Sequence, residues 1–141
     1  MKILAILKEL AKSEEYTVLN VDGYAMEIEP RDSKRINKVY DFVRDNFQRQ
    51  ISLDEIADVV SMTEPAFCRY FKKLSGKTFT QFVNEYRLVH ASKLLSERPD
   101  NITDICFECG FNNFSHFNKL FKAFTGKSPS RYRIEMTTIV K

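Results

Sequence analysis

The sequence lacks the cysteine framework of a secreted mini-protein: three cysteines among 141 residues is an odd number, in no framework spacing, which fits a reducing cytosol with no bridge expected. It also lacks a long apolar run. The opening Met-Lys-Ile-Leu-Ala-Ile-Leu is too short to span a bilayer, and Lys8 and Glu9 interrupt it before any small-residue cleavage site. Neither membrane association nor export is expected, and the chain reads as cytoplasmic. No nucleophile and base at usable spacing, phosphate loop or metal-ligand cluster occurs, so an enzyme is not expected and no cofactor is called for. Cys106 and Cys109 form a C-x-x-C pair, but no second ligand pair follows, and both fall on the apolar stripe of a short helix, where small buried side chains are the simpler reading.

Acids are missing from two particular stretches. Residues 1–32 carry four basic and seven acidic residues, a net of −3, while the remainder is at +6. Within that remainder, Pro65 to Asn84 holds Arg69, Lys72, Lys73 and Lys77 with no acid, and Cys109 to Ile134 holds Lys119, Lys122, Lys127, Arg131 and Arg133 with none. Two basic blocks point to a polyanionic partner.

The two stretches are related. Phe67-Cys-Arg-Tyr-Phe71-Lys72-Lys-Leu74-Ser-Gly76-Lys77-Thr78 is echoed 50 residues later by Phe117-Asn-Lys-Leu-Phe121-Lys122-Ala-Phe124-Thr-Gly126-Lys127-Ser128. Upstream, Leu53, Ile56, Ala57 and Val60 match Ile102, Ile105, Cys106 and Cys109 at an offset of 49, so the second copy has one extra residue between its helices. Each copy opens with apolar residues at i, i+3, i+4 and i+7, the stripe of a short amphipathic helix. Ser52 with Glu55 forms a capping box, and Asn101 with Asp104 a weaker equivalent.

A tight turn follows in each copy, Ser61-Met62-Thr63 in one and Gly110-Phe111-Asn112-Asn113 in the other. The next helix buries Phe67, Tyr70, Phe71 and Leu74, or Phe117, Leu120, Phe121 and Phe124. At 100° per residue, Pro65, Arg69 and Lys72 fall opposite the first stripe, with Cys68 and Lys73 flanking; Ser115, Lys119 and Lys122 hold that face in the second copy, flanked by Asn118 and Ala123. Gly76 and Gly126 are placed to end these helices as left-handed caps. Two short helices joined by such a turn, the second exposing a basic face, make a helix-turn-helix unit.

Other helices are expected around these units. Ser33 to Phe47 has Ile36, Val39, Tyr40, Val43 and Phe47 on one side. Thr78 with Gln81 caps a long helix to about Glu97, carrying Phe82, Val83, Tyr86, Val89 and Leu94, and Ser128-Pro129 starts a final short turn. The fold class is all-α. The expected divisions are 1–32, then 33–97 as a first helix-turn-helix subdomain with the long helix, then 98–141 as a second.

Taken in order, Ile56-Ala57, Phe67 with Arg69, Phe71-Lys72, Gly76, Arg87-Leu88 with Ala91, Leu94-Leu95, Gly110-Phe111, Ser115, Phe117, Phe121-Lys122, Gly126, Ser128-Pro129 and Tyr132-Arg133 closely resemble the DNA-binding domain of bacterial AraC/XylS-type regulators. The resemblance covers about Ser33 to Arg133. It implies seven helices, with two helix-turn-helix subdomains joined by the long helix and two recognition helices entering consecutive major grooves of one DNA face. Carried over, the family's base-reading positions fall on Pro65, Cys68 and Arg69, and on Phe114, Ser115, Asn118 and Lys119. Lys72, Lys73, Lys77, Lys122 and Lys127 are expected to meet phosphates, since ammonium groups act as point charges.

The chain departs from the family pattern in three respects. Ser61 stands where many members have glycine, Lys119 where arginine is usual, and Pro65 and Cys68 offer bases only apolar or weakly polar contact. Arg69 is therefore expected to dominate direct readout. Residues 1–32 look like the tail of an upstream sensor and dimerisation domain, with Ile3, Leu4, Ile6, Leu7, Leu10 and Ala11 on one helical face. The partners implied are double-stranded promoter DNA, RNA polymerase and, through the upstream domain, a second copy of the chain.

Overall fold

A computed structural model of the chain describes the backbone of residues 18–19, 25–26 and 30–140. The expected helical face from Ile3 to Ala11 lies outside the described residues. The described part is built of seven helices: α1 (Pro30–Asn46), α2 (Leu53–Val59), α3 (Glu64–Ser75), α4 (Phe79–Glu97), α5 (Ile102–Glu108), α6 (Phe114–Thr125) and α7 (Pro129–Val140). Two two-residue strands, β1 (Val18–Leu19) and β2 (Ala25–Met26), pair antiparallel with Val18 opposite Met26. The class is all-α, as the periodicity implied. No described helix is long and apolar enough to cross a membrane.

The chain divides into two compact units, Met1–Val83 and Asn84–Lys141. In the first, α1 buries Ile36, Val39, Tyr40, Val43 and Phe47. A phenyl cluster completes the core. Phe67 and Phe71 of α3 lie 5.7 Å apart, and Phe79 meets both edge-on at 5.5 and 5.6 Å. Such edge-to-face contacts set the positive ring edge against the negative face. The Tyr70 hydroxyl donates to the Asp32 carbonyl at 3.2 Å, tying α3 to α1, and burial pushes this phenol up to about 12.

In the second unit Leu88, Ala91, Leu94 and Leu95 of α4 pack with Ile105, Cys106 and Cys109, with Phe111, Phe117 and Phe121, and with Tyr132 of α7. Arg87 is nearly buried, its guanidinium 5.9 Å from the Phe111 ring centroid.

The caps explain where the helices begin. Ser52 Oγ accepts from the Glu55 amide at 3.1 Å, while the Ser52 amide helps to hold the Glu55 carboxyl below its ordinary range behind the larger effect of Arg49. Thr78 and Gln81 form a complete reciprocal box, at 3.0 and 3.1 Å. Asn101 departs from expectation: its Oδ1 accepts from the Thr103 amide at 2.8 Å rather than working with Asp104.

Two boundaries also differ from the sequence expectation. α1 starts at Pro30 rather than Ser33, since proline's fixed φ and missing N–H suit a first turn. The final element is a helix of 12 residues rather than a short turn. Tyr132 anchors it in the core and Met136, one turn on, packs against the same cluster.

Candidate nucleic-acid interface

Both copies build the same turn with the same hydrogen bonds. In the first, the Ser61 amide donates to the Asp58 carbonyl at 3.1 Å and Met62 to Ala57 at 2.9 Å; in the second, Gly110 donates to Phe107 at 3.0 Å and Phe111 to Cys106 at 3.2 Å. The bend needs positive φ: 56° at Ser61 and 100° at Gly110. Ser61 is the one described non-glycine residue in that region, so the departure from glycine noted above does place a side chain in an unfavourable conformation. The caps Thr63 and Asn113 accept from Ala66 and His116 amides at 3.3 and 2.9 Å. Since Met62 matches Phe111 and Thr63 matches Asn113, the extra residue of the second copy is Asn112.

The far ends of α3 and α6 match as well. Ser75 Oγ lies 2.7 and 3.0 Å from the Phe71 and Lys77 carbonyls, and Thr125 Oγ1 lies 2.8 and 2.9 Å from those of Phe121 and Lys127. Each hydroxyl also accepts from the lysine amide at 3.2 Å. Gly76 and Gly126 follow at φ 75° and 83° as left-handed caps. Sequence reasoning missed the hydroxyl lock, although a Ser/Thr one residue before each glycine was visible.

These frames hold Phe67 and Phe71, or Phe117 and Phe121, fully buried and turn the opposite faces outward. On α3, Pro65, Arg69, Lys72 and Lys73 are exposed and Cys68 is half-buried, as is Lys77 just beyond the Gly76 cap. Cys68 is partly covered because it flanks the Phe67–Phe71 stripe. On α6, Ser115, Lys119 and Lys122 are exposed, with His116 beside them, and Asn118 is half-buried. Phe114 is half-buried. Its ring packs on the second core, with its centroid 6.2 Å from that of Phe117.

An open cleft of about 740 Å³ runs along this second face. Its walls include Phe114, Ser115, Asn118, Lys119 and Lys122 of α6 and Ser128 and Ser130 at the start of α7. The two serines were not among the sequence candidates. At the start of α3, by contrast, Asp54 lies against Glu64 and pushes its carboxyl above the usual range by sharing a hydrogen bond and repelling its charge.

Not every residue of the basic blocks faces outward to meet a partner. Arg133 Nε and Nη2 donate to the carbonyls of Leu95 and Arg98, at 3.2 and 3.1 Å, closing the end of α4. Lys127 Nζ pairs with Glu135. Cys106 and Cys109 lie fully in the core, and burial raises their thiols to about 11 and about 12, which disfavours thiolate chemistry. Among the described residues no group of three or more His, Cys, Asp or Glu side chains could hold a metal ion.

A family model for a helix-turn-helix domain matches residues 56–134. The HTH-type transcriptional activator RhaS of Enterobacter sp. (strain 638) is 32% identical over 99 residues, which are 70% of this chain and 36% of that protein. A solved transcriptional regulator with an AraC-type DNA-binding domain, from Chromobacterium violaceum, superposes with a TM-score of 0.70 at 23% identity, covering 77% of this chain and 96% of that one. The DNA-binding domain of AdpA, solved in complex with a target DNA, superposes with a TM-score of 0.66 at 23% identity, covering 72% and 90%. At these identities the superpositions establish the fold. The chain spans less than half the length of the curated relatives it matches.

Proposed function

Because the chain belongs to the AraC-type helix-turn-helix family, we propose that it binds double-stranded promoter DNA in the cytoplasm and controls transcription, presenting α3 and α6 to consecutive stretches of major groove. The observation that carries this reading is the duplicated frame, in which the one helix face that packing leaves outward is acid-free and basic in both copies. Major grooves admit an α-helix, and base edges there carry the donor and acceptor pattern that distinguishes sequences.

In this reading Arg69 supplies the strongest base contact, because a guanidinium can donate twice to guanine O6 and N7. Ser115, Asn118 and Lys119 read the second stretch. Pro65 and Cys68 add apolar contact, and Phe114 contributes only a ring edge. Lys72, Lys73, Lys77 and Lys122 neutralise phosphates, and Lys127 does so only after leaving Glu135. The role is one of binding rather than catalysis. Contact with RNA polymerase, and pairing with a second copy through a further domain, would belong to the whole protein. The first helix-turn-helix subdomain, with α4, takes in 33–97 and the second 98–141.

Fluorescence anisotropy on a labelled duplex across a salt series tests the reading. With six to eight phosphates neutralised, log affinity should fall against log salt with a slope of about −5 to −7. A slope shallower than about −2 would exclude two engaged helices.

A further inference from the structure

The acid-free stretch of the second unit stops at Ile134, and the next residue is Glu135. The fold brings that acid back onto the stretch. One turn of α7 places Glu135 beside Arg131, whose Nε donates to Oε1 at 3.1 Å. The Gly126–Lys127 bend presents Lys127, whose Nζ pairs with Oε2. Together the two cations hold the Glu135 carboxyl below its ordinary range, Lys127 with the larger effect.

All three side chains remain open to solvent, with Glu135 31%, Lys127 40% and Arg131 70% exposed. Ser128, between the cations in sequence, caps α7 by accepting from the Arg131 amide at 3.3 Å. In the first copy Gln81 stands at the position of Arg131, and its amide oxygen accepts from the Thr78 N–H. The second cation is therefore present only in the second copy.

A carboxylate whose two oxygens are met by two cations offers the same acceptors as the two non-bridging oxygens of a phosphodiester. We infer that Lys127 and Arg131 form a phosphate-binding pair at the edge of the second recognition surface, and that Glu135 is an internal anion which a DNA phosphate must displace. The inference rests on the DNA-binding reading above. An ion pair this exposed is weak, because water screens both charges, so displacement is feasible. It still reduces affinity, since the single carboxylate cancels one of the pair's two positive charges and, once displaced, repels the phosphate. Glu135 thereby sets how tightly this half grips the backbone without selecting a sequence.

The test uses the full chain, a duplex selected by it from a random pool, and an unselected duplex of equal length. Glu135→Gln should tighten binding to both by about 3- to 10-fold at 0.15 M salt and steepen the salt slope by about 1, the increment for one more neutralised phosphate. Lys127→Ala should weaken binding more in the Glu135→Gln background than in the parent, because only there is its charge fully available. Unchanged affinity and slope in Glu135→Gln, or an equal cost of Lys127→Ala in both backgrounds, would overturn the inference while leaving DNA binding intact. If the parent chain binds neither duplex, the underlying reading fails, and the inference with it.

Discussion

The first helix-turn-helix unit and the second share a frame to within one residue and an outward basic character, yet they differ at the positions assigned to base reading. Caps, turn hydrogen bonds, buried phenyl pairs, hydroxyl locks and terminal glycines repeat at an offset of 49 or 50. On the outward faces Arg69 answers to Lys119, Cys68 to Asn118 and Pro65 to Ser115. The contrast follows from packing. Interior positions cannot change volume without cost, whereas an outward side chain bears on stability very little and is open to divergence. The surroundings differ too: the first helix starts beside the Asp54–Glu64 pair, and after the second helix Arg131 stands where the first copy has Gln81.

The largest effects should come from breaking the shared frame. Phe71→Ala and Phe121→Ala each remove a fully buried ring and should cost about 3 to 5 kcal/mol in urea denaturation. Native-state hydrogen exchange sharpens the comparison: Phe121→Ala should lower protection mainly in α5, α6 and α7. Equal losses in α1 to α3 would show one cooperative block rather than two units.

Next come the faces. Arg69→Ala should lose about 1 to 3 kcal/mol of binding and relax preference at one or two base pairs, as expected when a bidentate contact disappears. Lys119→Ala should lose about 1 kcal/mol with less change in preference, an ammonium being a point charge. Selection of bound sites for each variant checks both, and matching sequence-independent losses would contradict the assignment.

Smallest is the turn. Ser61→Gly should stabilise the first unit by about 1 kcal/mol by relieving a left-handed non-glycine residue, and Gly110→Ser should destabilise the second by at least about that much. Thermal melts of the two variants that moved in the same direction would refute the equivalence of the turns.

Much of this frame was legible in advance because aromatic spacing, caps and internal duplication agree with one another. Phe67 and Phe71 announce the same stripe as Phe117 and Phe121, and Thr78 with Gln81 announces a helix start. What escaped detection depends on contacts distant in sequence or on side-chain direction. Arg133 looked like part of a basic surface, but it caps a helix that ends some 35 residues earlier. Glu135 lay one residue beyond a stretch defined by having no acids, and only the bend at Gly126 and the turn of α7 bring it to Lys127. Phe114, carried over as a base-reading position, lines the cleft while its ring leans on the core, a contact that spacing alone did not give. The base-reading positions came from the family pattern; to them the structure adds that Arg69 and Lys119 are exposed and Cys68 and Asn118 half-buried.

The central claim is that one chain reads two different stretches of DNA with two different helices. Footprinting on a selected site, followed by insertion of about five base pairs between its two protected blocks, tests it most directly, because half a helical turn moves one block to the opposite face of the duplex. The account predicts an asymmetric site with blocks about one helical turn apart, occupied by a single chain, and loss of specific binding on insertion. A palindrome filled only by two chains, or full affinity after the insertion, would contradict it.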